Sequence, residues 1–221
     1  MDINQFVQTV AIYALPVLFA ITLHEAAHGY VARHFGDMTA HAQGRISLNP
    51  ARHIDLVGTI LVPILILAVS KLAGGAGLLF GWAKPVPVNY SALRHPRQNM
   101  LWVAAAGPGA NLAMAFAWAA LYKAVDLLPA IYFTQPMLLM GKAGIEVNVV
   151  LMLLNLLPIL PLDGGRIVAS LLPSRIAWGY AKLEPWGFPI LLLLLFTSVL
   201  GVILAPMLSF SFRVIGTVFQ I

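Results

Sequence analysis

The chain has 221 residues, of which 60% are hydrophobic and 10% charged. Soluble domains carry about a quarter of charged residues, so this composition excludes one and implies an integral membrane protein. The net charge of +5 is spread over loops and suits anionic lipid headgroups, not nucleic acid, and the absence of cysteine excludes disulfides and thiolate metal sites.

Residues 6–35 form the first predicted span. No basic region precedes it and no small-residue cleavage site follows, so it is expected to be retained and not removed as a signal peptide. It carries His24-Glu25-Ala26-Ala27-His28. His-Glu-x-x-His on a helix is a zinc-protease motif. Helical spacing puts His24 and His28 one turn apart on one face, so both imidazoles can reach one metal ion. Glu25 leaves the helix about 100° around from His24, within reach of a water on that metal. An unliganded His-Glu-His face turned to hydrocarbon would cost several kcal/mol, and a metal compensates it. A purely structural hydrogen-bonded cluster is the alternative. Gly36 and Asp37 are expected to end the helix.

Residues 37–55 are polar and turn-rich, and His53 and Asp55 there read as interfacial packing groups. A second span is predicted at 56–72, kinked at Pro63. Residues 82–89, Trp-Ala-Lys-Pro-Val-Pro-Val-Asn, alternate proline with valine and cannot be a helix interior. They read as a short extended or re-entrant segment, which offers an edge for an unwound peptide to join as a strand. The third span, 100–125, contains Gly107-Pro108-Gly109-Ala110-Asn111, a small-residue stretch that permits close helix approach. Asn111 is either an interhelical tie or a donor to a substrate carbonyl. In the fourth span, 136–157, Asn148 and Asn155 share a face and read as interhelical ties, and Glu146 is expected to pair with Lys142. Pro158 and Pro161 break this helix, and a short helix is predicted at 164–172. The fifth span is predicted at 185–204, with a partial or interfacial helix at 206–221. One domain, 1–221, with a core at about 6–172, accounts for the chain.

A hydrolytic zinc takes three protein ligands and leaves one position for water. Of the eight acidic residues, Asp2, Asp37, Asp55, Asp126 and Glu184 fall at the terminus, in loops or at span ends. Asp163 is the best candidate for the third ligand. Pro158 and Pro161 stop one helix, Gly164 and Gly165 free the backbone, and the start of the next helix favours a carboxylate. A helix cap is its other reading.

HEAAH in one span, GPGAN in a later one and NLLPILPLDGG beyond it resemble the site-2 protease family of intramembrane zinc metalloproteases. The loops Gly44-Arg45-Ile46-Ser47-Leu48-Asn49-Pro50 and Gly81 to Asn89 resemble its compact prokaryotic branch. The resemblance implies a three-helix core, Zn2+ held by His24, His28 and Asp163, Glu25 as general base, and Asn111 helping to position substrate. It implies cleavage of transmembrane segments of membrane-anchored proteins. Many members carry a PDZ or CBS domain, and this length is expected to leave no room for one. The expectation is therefore an all-α polytopic protein of the cell membrane, with five to six membrane helices and zinc endopeptidase activity. A non-catalytic zinc scaffold or a metal transporter is the rival. The rival would more plausibly spread acidic or histidine residues over several spans, whereas here they converge.

Overall fold

The computed structural model describes residues 3–53, 55–62, 65 and 84–221, and among these it is helical with no strand. Helix α1 (Ile3–His34) carries the HEAAH sequence, and Arg33 stands in its last turn, where a cation complements the helix dipole. Gly36 follows at φ 106°, a left-handed conformation that glycine supplies without strain. A four-residue helix, α2 (Thr39–Ala42), and a single turn at Pro50–Arg52 follow. A wide helical turn, Leu56–Leu61, begins at Asp55, whose Oδ1 accepts the N–H groups of Val57 and Gly58. Most of the predicted second span, with Pro63, lies outside the described residues, as do Trp82 and Ala83. Residues 84–89 have no helical turn, as their prolines require.

The rest of the chain is α3 (Pro96–Asp126), α4 (Thr134–Asn155), α5 (Asp163–Leu171), α6 (Ser174–Ala181), α7 (Glu184–Phe196) and α8 (Val199–Phe219). Among the described residues, four helices are long and apolar enough to cross a membrane: Val7–His34 of α1, α3, α4 and α8. The chain is thus an all-α polytopic membrane protein. Large apolar side chains such as Phe19, Trp102, Val202 and Phe210 face outward, as contact with lipid demands.

The C-terminal boundaries differ from the sequence expectation. The fifth span was expected at 185–204, with a break near Pro206. The break falls instead at Thr197 and Ser198, where Ser198 adopts φ 61° and Thr197 Oγ1 donates back to the Leu193 carbonyl at 2.7 Å. That leaves α7 with 13 residues, about 20 Å long and short of a bilayer core, while α8 runs unbroken through Pro206. Hydropathy is uniform across the junction, so only these two polar residues mark it.

Helix α3 is central and packs on α1, α4 and α5, while α1 also meets α4. Ala115, Trp118 and Ala119 of α3 pack on Ile145, Val149, Met152 and Leu153 of α4, with Leu191, Leu200 and Leu204 closing the cluster from α7 and α8. One contact between α1 and α4 is polar. Tyr13 donates to Glu146 Oε2 at 2.9 Å, joining α1 to α4. Glu146 therefore takes a cross-helix partner, not Lys142 four residues away on its own helix.

Candidate metal centre

His24 and His28 lie one turn apart on α1, both buried, with their Nε2 atoms 3.1 Å apart. Asp163 Oδ2 stands 3.2 Å from the first and 3.3 Å from the second. Asp163 gets there because α4 ends at Asn155 and the chain turns back through Pro158 and Pro161. Leu162 occupies the cap position and Asp163 is the first helical residue of α5. A Cβ on Gly164 would lie 2.2 Å from the Leu156 carbonyl oxygen, so only glycine lets α5 start against that turn. At the other end of α5, Arg97 of α3 donates to the carbonyls of Ser170 (2.8 Å), Leu171 (3.2 Å) and Leu172. One arginine thus holds three helix-end carbonyls and fixes the element that carries Asp163.

The protons on the two imidazoles follow from their other partners. His24 Nδ1 lies 2.6 Å from Asn111 Oδ1, and His28 Nδ1 lies 2.7 Å from the Val103 carbonyl oxygen. Both partners accept, so each Nδ1 carries the proton and donates, and each Nε2 presents a lone pair. Three electron-rich atoms then face one another at 3.1–3.3 Å, and Asp163 Oδ2 is buried with no hydrogen-bond donor. Such a triangle repels itself unless a cation sits against it. A tetrahedral zinc with ligands at about 2.0–2.1 Å has donor–donor edges of about 3.3 Å. The donor set, its spacing and its orphaned oxygen fit a metal ion.

Asn111 is wholly buried and all its polar capacity is turned inward. Its Oδ1 accepts from His24, and its Nδ2 donates to the Ala20 carbonyl (3.2 Å) and to Asn148 Oδ1 (3.0 Å). Asn148 Nδ2 donates in turn to the Gly144 carbonyl at 2.8 Å. Of the two expectations for Asn111, the hydrogen bonds show the interhelical tie, placed behind His24 as a positioning group. Asn155 donates only within its own helix, to the Leu151 carbonyl at 3.0 Å. Asn111→Leu is expected to weaken zinc affinity about 10- to 100-fold, the usual cost of losing an outer partner of a metal-bound histidine. Competition with a chromophoric chelator measures it, and unchanged affinity would remove Asn111 from the site.

Gly107, from the same GPGAN sequence, is where α3 comes closest to the imidazoles. A Cβ there would stand 2.4 Å from His28 Nε2 and 2.6 Å from His24 Nε2, whereas Gly109 faces open space. Gly107→Ala should therefore place a methyl group in the space between the two ring nitrogens. We expect metal binding to fall below detection while helicity by circular dichroism persists. Wild-type metal stoichiometry in that variant would contradict the packing described.

Glu25 is half-buried, and its Oε2 accepts the backbone N–H of Val86 at 2.7 Å. The extended segment is clamped along its length, at Glu25 of α1 and by the loop that follows α1. Lys84 N–H donates to the His53 carbonyl at 2.9 Å, and Asn89 N–H donates to Asp37 Oδ2 at 2.6 Å. Arg45 Nη2 donates to the carbonyls of Lys84 and Pro85 at 3.0 and 3.2 Å. Burial would raise the Asp37 carboxyl, yet hydrogen bonds from Thr39 and Asn89 hold it below the ordinary carboxylate range. His53 is buried and donates from Nε2 to the Ser47 carbonyl at 2.8 Å. Asp37, Arg45 and Val86 lie in stretches the sequence singles out, but their roles as partners of the extended segment and of Glu25 are not legible there, since contacts across many residues leave no mark in local spacing. The idea of a free strand edge is corrected here. Pro85 and Pro87 have no N–H, and those of Lys84, Val86 and Asn89 are taken, which leaves Val88 alone among residues 84–89 without a partner for it.

No family model matches the sequence, and no solved structure matches it. Among curated proteins the chain is 38% identical over 198 residues to "Putative zinc metalloprotease YwhC" of Bacillus subtilis, covering 88% of this chain and 84% of that one. It is 31% identical over 186 residues to "Putative zinc metalloprotease Rip2" of Mycolicibacterium smegmatis, 83% of this chain and 66% of that one. To the Mycobacterium tuberculosis protein of the same name it is 30% identical over 170 residues, and it spans 54% of that relative's length. Identity of 38% sustained over 84% of YwhC extends far beyond a shared motif. The chain belongs to the site-2 protease family, as YwhC and the Rip2 proteins do.

Proposed function

We propose that this chain is a zinc metalloendopeptidase of the cell membrane that cuts the membrane-spanning segments of membrane-anchored proteins. The observation that carries the reading is the convergence of His24 Nε2, His28 Nε2 and Asp163 Oδ2 to within 3.3 Å of one another beside a glutamate. The relatives, named as zinc metalloproteases, support the same class of chemistry.

Zinc, when bound by these three residues, supplies a Lewis acid that polarises a peptide carbonyl and acidifies water. His24, His28 and Asp163 would hold the metal as a three-ligand set, the number that hydrolytic zinc sites use. Glu25 takes a proton from the attacking water and passes it to the leaving amine. The Val86 N–H holds one carboxylate oxygen and leaves the other for that exchange. The site sits in a span, so a substrate helix must unwind locally before its peptide bonds can reach Glu25. Polar groups at this depth are tolerable because they are satisfied within the protein.

Purified protein in vesicles should hold about one zinc per chain and cleave a single-span substrate within its apolar segment. Zinc-loaded protein that transports metal across sealed vesicles and cleaves nothing would favour the transporter instead. Within this mechanism, Val86→Pro removes the N–H that fixes Glu25, whereas Val86→Ala keeps it. Turnover should fall about tenfold or more in the proline variant, the scale of one charge-assisted hydrogen bond, and far less with alanine. Equal turnover in the two variants would release Val86 from this role.

A further inference from the structure

A polar cavity lies outside the metal centre. It measures about 420 Å³ and is lined by Gln43, Gly44, Arg45, Ala51, Arg52 and Lys84. Three of these six are cations, and no carboxylate lines it among the described residues. The guanidinium groups are held in place by backbone. Arg52 Nη1 donates to the Gly44 carbonyl, and Arg45 Nη2 donates to the carbonyls of Lys84 and Pro85. Gly44 sits at φ 62°, and a Cβ there would lie 2.8 Å from Arg52 Nη1, so the turn is shaped around that side chain. Arg45 Nε is buried and meets no acceptor. None of the three cations makes an ion pair among the described residues. Like charges collected round one cavity repel, and an anion with several acceptor oxygens relieves both the repulsion and the unpaired donor.

The location narrows the anion. The cavity belongs to the loop that follows α1, whose apolar span ends at His34. This loop packs back on α1, where Ile46 and Val86 both approach Gly29. The cavity is thus at the membrane-surface end of the helix, where phospholipid phosphates lie.

We propose that Arg45, Arg52 and Lys84 bind the phosphate of an anionic glycerophospholipid headgroup. The inference goes beyond the proteolytic reading and does not depend on it. It has a consequence for that reading, because Arg45 also holds the Lys84 and Pro85 carbonyls next to Val86, whose N–H binds Glu25. A headgroup in the cavity would brace the segment that positions Glu25.

The test titrates the full chain in neutral detergent with short-chain phosphatidylglycerol, short-chain phosphatidylcholine and inorganic phosphate, counting bound molecules by native mass spectrometry. We expect saturable binding of one phosphatidylglycerol and no saturable site for phosphatidylcholine. Arg52→Gln with Lys84→Gln should weaken it about tenfold or more, as the loss of two near-surface cations implies. Arg33→Gln with Arg94→Gln removes the same charge from exposed positions at the same end of α1 and should change it less than about twofold by that measure. Equal losses in the two double variants, or equal binding of the two lipids, would overturn the site. Inorganic phosphate binding as tightly as phosphatidylglycerol would overturn the lipid assignment.

Discussion

Asp163→Ala is expected to strip the purified protein of most of its zinc and to abolish turnover with it. The carboxylate supplies the third donor, 3.2 and 3.3 Å from the two histidine nitrogens. Removing it leaves two neutral imidazoles, which neither balance the charge of zinc nor complete the three-ligand set of a hydrolytic site. Affinity should fall more than about 100-fold, the upper end of what an outer partner costs. The fold should persist, because α5 is held by Arg97 at its far end and by Gly164 against the Leu156 carbonyl, and neither contact involves the Asp163 side chain. Metal analysis after dialysis, paired with circular dichroism, reads both parts. Stoichiometric zinc in Asp163→Ala would remove this residue from the site.

Glu25→Gln should do the reverse, keeping zinc and losing turnover by about 10²- to 10⁴-fold, the range that general acid–base catalysis supplies. Glutamine is nearly the same shape, and its amide oxygen can still accept the Val86 N–H that Glu25 Oε2 now accepts at 2.7 Å. The extended segment should therefore stay clamped. An amide cannot take a proton from water, so only the chemical step is lost. Turnover within about tenfold of wild type would place the base elsewhere. The two variants together separate metal binding from proton transfer, since one should lose both and the other only the second.

Much of the site is legible in the sequence, and what is legible is local. His24 and His28 share a face because 3.6 residues make a turn, whatever surrounds the helix. Two prolines and two glycines crowded into NLLPILPLDGG impose a break and a restart, which makes Asp163 a candidate ligand, whereas single prolines such as Pro108 and Pro206 sit inside helices. The apolar composition required spans, and alternating prolines at 85 and 87 required an extended backbone. Local rules of this kind survive translation into three dimensions because backbone sterics and solvation enforce them within a few residues.

The contacts that organise the site are of another kind. Glu25 meets Val86 across 61 residues of sequence, and His24 meets Asn111 across 87. Tyr13 reaches Glu146 across 133, overriding the nearer Lys142. No periodicity encodes such pairs. They arise because α3 presses Gly107 onto the imidazole face of α1, and a buried polar group must then take whichever partner the packed helices bring within hydrogen-bond distance. Residue types and spacing thus specify which chemistry this chain carries. The packing of α1, α3, α4 and α5 assigns each polar atom its partner, because satisfying buried polar groups is a global constraint that no short stretch of sequence can meet alone.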